Sequence, residues 1–232
     1  MTVSHEPGAA LQVVGEAWLQ TALAEHASIA AFARLILHLM SLAAPPDLLD
    51  DAIRAMSDEL EHARLAFGLA RKFNGFPAGP GRMEIGAALA QPHDAGSILK
   101  AAIIEGCFEE TVSARCAEVA LQRTEDADVA AALTRIARDE SNHAELSWRL
   151  AAWILRAYPE LAPSAEEWFA RGLATPEDNG EEDGAPIIER YGHLLPSSRR
   201  GVRRATMRDE IVPRIVALLG VHPSMRQAGV VT

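Results

Sequence analysis

Four long stretches of the chain combine apolar residues at helical spacing with an almost complete lack of glycine and proline. In each stretch the apolar positions recur every three or four residues, as they do in an amphipathic helix that packs against a core. Glycine and proline are concentrated between the stretches, above all at residues 75–92. The pattern therefore predicts four long helices, over residues 9–42, 47–73, 95–123 and 126–157.

The connections between these helices predict their arrangement. The first and third connections are short, so the helices that they join should be antiparallel neighbours. The middle connection, of about 20 residues, can extend over about 66 Å, whereas a helix of 27 residues is about 40 Å long. We therefore predict an all-α four-helix bundle with one long crossover between helices 2 and 3. Helix caps are expected at Asp47 and at either Thr124 or Asp126.

The character of the chain changes after residue 158. Residues 164–173 and 199–219 carry helical apolar patterns, although Pro213 predicts a kink or a break in the second. Between them, residues 177–183 hold five acidic side chains and indicate a solvated linker. This divides the chain into a four-helix bundle over residues 9–158 and a helical C-terminal extension with an acidic linker over residues 159–232.

Composition and charge argue against several classes of protein. The chain has 32 acidic and 22 basic side chains, a formal net charge of −10, which argues against nucleic acid as the main partner. Cys107 and Cys116 are separated by about 13 Å along a helix, too far for a disulfide. No signal-peptide pattern and no apolar run of about 18 residues is evident, so we expect no membrane span and a cytoplasmic location.

Two segments repeat the same motif. Residues 58–70 (DELEHARLAFGLA) and residues 139–151 (DESNHAELSWRLA) are identical at seven positions, and each lies in the second helix of a pair, which indicates an internal duplication. Both contain Glu-x-x-His, whose carboxylate and imidazole share one face of a helix. Two such helices can hold two metal ions if the other helices each supply a glutamate. The repeat therefore selects Glu59, His62, Glu140 and His143.

The glutamates of the other two helices complete this pattern. Glu25 lies on the apolar face of the first helix, where a lone carboxylate would be costly but a cation removes the cost. The third helix offers Glu105, Glu109 and Glu110. Glu110 aligns best with Glu25, because each is followed three residues later by a serine. We therefore favour Glu110, with Glu105 as the second choice and Glu109 as the third.

Small residues on the third helix have two interpretations. Ala102, Gly106, Ser113 and Ala117 are spaced to share the inner side of this helix. They either leave a cavity beside the metal ligands or allow close helix packing.

These motifs resemble the ferritin-like di-iron carboxylate superfamily over residues 15–157. The stretches AEHASIAAFARL, DELEHARLAF, EGCFEET and DESNHAELSWR are also similar to a bacterial group of ferritin-like proteins of unknown function. The resemblance implies that Asp58 and Asp139 accept hydrogen bonds from a ligand histidine of the opposite helix. It implies two iron ions, although manganese or a mixed iron–manganese centre suits the same donors. The implied ligands are Glu25, Glu59, His62, Glu110, Glu140 and His143, with Glu105 as a further candidate.

The resemblance implies an oxidoreductase that reacts with O2 or H2O2, and several functions stay open. An oxidase or oxygenase acting on an unidentified small molecule is the first expectation. The alternatives are a rubrerythrin-like peroxidase, a ferroxidase or iron-handling protein, and a metal-free helical scaffold. Because the chain has no CxxC motif, electrons should come from a separate donor protein. A homodimer is compatible with the sequence, whereas the lack of a tyrosine near the motifs argues against a radical enzyme.

Overall fold

The computed structural model describes residues 7–86, 90, 92–174 and 186–220. These residues form helices joined by turns and loops, and no β-strand occurs among them. The prediction of an all-α protein is therefore confirmed for the described part of the chain. The acidic linker predicted at residues 177–183 lies outside the described residues.

The four long helices begin and end close to the predicted boundaries. The first two are α1 (Pro7–Ser41) and α2 (Pro46–Asn74). The third long helix runs without interruption through three parts: α3 (Ala95–Ala101), a π-helical segment (Ala102–Glu110) and α4 (Thr111–Arg123). The fourth long helix is α5 (Ala127–Ala157).

Of the predicted helix caps, the one at the start of α5 is confirmed and the one at the start of α2 is wrong. Asp126 caps α5, because its carboxylate accepts hydrogen bonds from two backbone N–H groups of the first turn. This selects Asp126 over Thr124. The cap predicted at Asp47 is wrong: Pro45 holds the N-cap position of α2 and no side chain caps the helix. Pro46 begins the helix instead, since a proline there has no N–H that needs an acceptor.

Contacts between α2 and α5 set their relative direction. α1 packs along α2, and α2 in turn packs against α5. His62 lies beside Asp139, whereas Glu59, earlier on α2, lies beside His143, later on α5. The two helices therefore run antiparallel.

The third long helix also runs antiparallel to α5. Glu110 approaches His143, and Gly106, one turn earlier, faces Ser147, one turn later. The third long helix is consequently parallel to α2, and the connection between them has to return along the length of the helices.

Two apolar clusters lie towards opposite ends of the four long helices. One is built around Phe32, Phe108 and Leu146, and the other around Trp18, Ala66 and Leu133. On α1, α2 and α5 the predicted metal ligands lie between these clusters, whereas on the third long helix Glu110 lies between Phe108 and Val112 of the first cluster. The polar site is thus enclosed by apolar side chains on both sides.

The chain after residue 158 packs against the third long helix and α5. Two helical stretches predicted there are confirmed as α6 (Ala162–Ala174) and as a continuous helix of α7 (Pro196–Thr206), a second π-helical segment (Met207–Ile211) and α8 (Val212–Leu219). Phe169 of α6 stacks on Trp148 of α5 at a ring separation of 5.7 Å. Short 3-10 helices at Pro159–Leu161 and Pro186–Tyr191 complete the described elements.

Pro213 does not end its helix. The second π-helical segment directly precedes it, and the N–H of Val212 bonds to the carbonyl of Met207, five residues earlier. The wider turn accommodates the proline, which lacks an N–H for the regular ladder. Of the kink or break predicted at this position, the break does not occur, because the helix continues through a local widening.

One helix among the described residues is long and apolar enough to cross a membrane, by length and composition alone. This stretch, Ala10–Ser41, reaches a mean hydropathy of 1.3, although it contains no uninterrupted apolar run of the kind sought in the sequence. Its inner face packs on α2 and carries Glu25. Both cysteines are free, as expected.

Candidate metal centre

Six of the predicted side chains meet between the four long helices. Two groups of them can each hold a metal ion, and within each group one ligand atom per residue lies within 4.8 Å of the others. The two groups share Glu140. The first contains Glu25, Glu59, His62 and Glu140, and the second contains Glu110, Glu140 and His143.

His62 is the centre of the first group. It is fully buried, and its Nδ1 atom lies 3.4 Å from Glu140 Oε1, 3.7 Å from Glu25 Oε2 and 4.0 Å from Glu59 Oε2. Carboxylates from three different helices thus converge on one ring nitrogen.

His143 is the centre of the second group, with the same arrangement. Its Nδ1 atom lies 3.1 Å from Glu59 Oε1, 3.7 Å from Glu140 Oε1 and 4.0 Å from Glu110 Oε2. The two imidazole rings are 6.0 Å apart. Glu59 and Glu140 approach both histidines, whereas Glu25 and Glu110 each approach one. The internal repeat therefore produces a site with approximate twofold symmetry.

The outer nitrogen of each histidine faces the aspartate of the opposite repeat, the pairing that the resemblance implied. His62 Nε2 lies 3.3 Å from Asp139, which is buried, whereas His143 Nε2 lies 3.6 Å from Asp58, which is partly exposed. Only the first distance is a hydrogen bond. The two halves of the site therefore differ in how firmly the imidazole is oriented.

Arg138 strengthens this difference, although no motif in the sequence predicts its role. Its guanidinium lies 2.7 Å from Asp139 Oδ1, and Arg135 contacts the other carboxylate oxygen. Burial opposes the charge of Asp139, but Arg138 and His62 hold the pKa of this carboxyl below its usual range. An arginine directly before the second motif was the only available signal in the sequence.

Several ligand atoms of the cluster are buried without a hydrogen-bond partner. Glu59 Oε2 and the Nδ1 atoms of His62 and His143 are in this state. A buried polar atom without a partner costs free energy, so such atoms are rare in native proteins. Carboxylate oxygens and imidazole nitrogens aimed at one another across 3–4 Å fit a bound cation, which would satisfy all of them.

The electrostatics of the cluster point the same way. Burial, together with Glu140 and Glu25, raises the pKa of Glu59 to about 8. Burial and the neighbouring glutamates also raise the pKa of Glu110 well above its usual range. Burial opposes a charged imidazole at His62, but Glu140 and Glu25 outweigh it and raise the pKa of His62 to about 11. Without a metal, bound protons offset the negative charge of these closely spaced carboxylates.

Metal binding is expected to strengthen as pH rises from about 6 to about 8, because a metal ligand must give up its proton. Both Glu59 and His62 retain a proton at neutral pH in the metal-free site. Calorimetric titration with Zn²⁺ in two buffers of different ionisation enthalpy should report proton release. Binding that is independent of pH would contradict the assignment of these two residues as ligands.

Glu105 and Glu109 lie outside the cluster. Glu105 bonds to Arg34 of α1 at 2.6 Å, and Glu109 bonds to Arg203 of α7 at 3.0 Å. Both carboxylates are more than half exposed. The π-helical segment explains this, because its wider turns change the directions that a regular helix would give to these side chains. Of the three candidate glutamates, the structure brings only Glu110 to the histidines.

The small residues of the third long helix divide between the two interpretations. Ala102 and Gly106 line a cavity of about 350 Å³ between α1 and the third long helix. Ala117 is buried in an apolar cluster, and Ser113 does not line this cavity.

No protein-family model, no curated protein and no solved structure matches the chain. Fold and site together define a helical protein with a buried cluster of glutamate and histidine side chains that could hold a metal ion. The chemistry of this cluster therefore has to be inferred from its donor atoms and their geometry.

Proposed function

We propose that this chain is a ferritin-like di-iron carboxylate protein that uses O2 or H2O2 at a dinuclear centre, as an oxidase or oxygenase. The single observation that carries the proposal is the twofold cluster, in which Glu59 and Glu140 approach both histidines. A single cation would need only one of the two histidine-centred groups. Two carboxylates shared between two imidazoles suit a pair of ions in a four-helix bundle.

The direction of the helices supports the ferritin-like assignment. Such bundles have antiparallel pairs and one long crossover, so that helices 2 and 3 are parallel. The contacts of His62 and Glu110 with α5 give α2 and the third long helix this relation.

The donors suit iron or manganese, and iron bound here would supply the electrons that reduce O2 or peroxide. The chain itself orients and shields the ligands. Asp139 and Arg138 fix His62 from behind, and the ring of Phe32 lies 5.0 Å from the ring of His143. The apolar clusters on either side keep bulk water away from Glu59 and Glu140, which are both buried. Electrons for repeated turnover would come from a separate, cytoplasmic donor protein.

The cavity beside Glu110 favours the oxidase or oxygenase among the alternatives. A volume of about 350 Å³ next to the cluster gives room for an organic molecule. A further glutamate from the third long helix would fit the peroxidase alternative, but Glu105 and Glu109 are bound to arginines instead.

One assay separates these functions. Metal-free protein is loaded anaerobically with Fe²⁺, and its oxidation by O2 is compared with its oxidation by H2O2. Faster oxidation by O2, with the iron retained, is the expected result. Faster oxidation by H2O2 would favour the peroxidase, and release or mineral growth of Fe³⁺ would favour iron handling. An absence of bound iron would contradict the proposal altogether.

A further inference from the structure

The cavity beside the cluster is elongated and mostly apolar. It meets the cluster only at Glu110, and on α1 its lining extends from Ser28 to His38, a rise of about 15 Å. A volume of about 350 Å³ spread over this length describes a narrow channel. Its apolar walls include Phe32, Leu35, Ile98, Ala102 and Leu150.

The length of the channel suits an extended chain. In an extended polypeptide three bonds advance about 3.5 Å, so about thirteen bonds span about 15 Å. A charged group inside the channel would lose its hydration among apolar side chains at high cost. The part of a bound molecule that lies beside Phe32, Leu35 and Ile98 is therefore expected to be uncharged.

A second cavity adjoins the channel, and polar and charged side chains make up a larger share of its lining than of the channel's. It also measures about 350 Å³ and shares Arg34, His38, Ala101 and Glu105 with the inner channel. Lys100 lines only this outer cavity. The two ends of a molecule that fills both cavities would therefore lie in different surroundings.

The outer cavity carries an excess positive charge. Glu105 bonds to Arg34 at 2.6 Å, so these two charges offset each other. Lys100 makes no ion pair with any of the described residues. Burial and the nearby Arg34 lower the pKa of His38, which is therefore uncharged at neutral pH. The remaining charge of Lys100 is complementary to an anion.

We propose that the two cavities together bind an unbranched aliphatic monocarboxylate, with its carboxylate at Lys100 and its chain in the inner channel directed towards Glu110. The role of this molecule as substrate rests on the proposed function, whereas its binding does not. The carbon atoms of the bound molecule that lie beside Glu110 would be the ones that react.

Binding is tested on the metal-free full chain by calorimetry with decanoate. We expect one molecule to bind per chain, with decanol and decyltrimethylammonium at least tenfold weaker and acetate undetectable. These three compounds remove the charge, reverse it, or remove the chain.

Variants locate the bound molecule. Lys100→Glu should weaken decanoate binding at least tenfold, whereas Arg54→Glu, the same charge change on the exposed face of α2, should leave it unchanged. Ala31→Phe and Ala101→Phe each fill the channel from one wall and should weaken binding to a similar degree. Circular dichroism verifies that each variant is folded.

Equal affinity for decanoate and decyltrimethylammonium would overturn the proposal, as would unchanged binding in both folded phenylalanine variants. If the protein takes up two metal ions but does not bind decanoate, the proposed carboxylate binding is overturned and the proposed function is not. Decanoate binding by a chain that takes up no metal would leave the proposed binding intact and contradict the proposed function.

Discussion

Replacing Glu140 with alanine is expected to reduce the metal content from about two ions per chain to nearly none. Glu140 Oε1 lies 3.4 Å from His62 Nδ1 and 3.7 Å from His143 Nδ1, so it serves both halves of the cluster. Its charge is available for this role: burial opposes it, but the two histidines hold the pKa of Glu140 below its usual range. The measurement is metal analysis after anaerobic loading and gel filtration.

Glu25→Ala and Glu110→Ala are the matched controls for this variant. Each removes a carboxylate that approaches one histidine only, so each should retain about one ion. If Glu140→Ala retained as much metal as either control, the shared role of Glu140 would be wrong. Thermal unfolding of all three variants verifies that the loss of metal is not a loss of fold.

Removing the metal is expected to lower the free energy of unfolding by several kcal/mol. A ligand that binds only the folded state contributes about 4 kcal/mol when it is present at a thousand times its Kd. The structure explains why the effect is large, because the metal-free site buries partnerless carboxylate and imidazole atoms. Thermal unfolding with excess Mn²⁺ or with chelator measures the difference.

The difference in the free energy of unfolding between the metal-bound and the metal-free protein should grow as pH rises. In the metal-free protein the pKa of Glu59 is about 8 and that of His62 about 11, above their unfolded values of 4.5 and 6.5. A group with a raised folded pKa stabilises fully below its unfolded pKa and loses this contribution as pH rises towards the folded one. The metal-free protein should therefore be less stable at pH 8 than at about pH 6.5. A metal effect that shrinks with pH would contradict this account.

Most of the fold and the core of the site follow from the sequence. The breaker-free stretches predict the four long helices to within a few residues, because each stretch is too regular in its apolar spacing to adopt another structure. The repeated Glu-x-x-His predicts that Glu59 and Glu140 meet two histidines, because i and i+3 share a face. Repeats of the same length on antiparallel helices then give the twofold arrangement.

Other features depend on geometry that the sequence does not express. The choice among Glu105, Glu109 and Glu110 depends on the π-helical segment, whose extra width a period of 3.6 residues does not describe. The channel depends on the distance between α1 and the third long helix, which small residues permit but do not impose. The asymmetry between Asp58 and Asp139 depends on Arg138, whose direction no spacing rule indicates.

Anaerobic titration of the metal-free chain with Fe²⁺ is the most direct test of the dinuclear centre. The wild-type chain should bind about two equivalents, and a variant with His62→Ala and His143→Ala should bind nearly none while it remains folded. Removing both imidazoles takes the only nitrogen donors from the two groups. Two equivalents in the folded double variant, or no binding by the wild-type chain, would contradict the proposal that this cluster holds two metal ions.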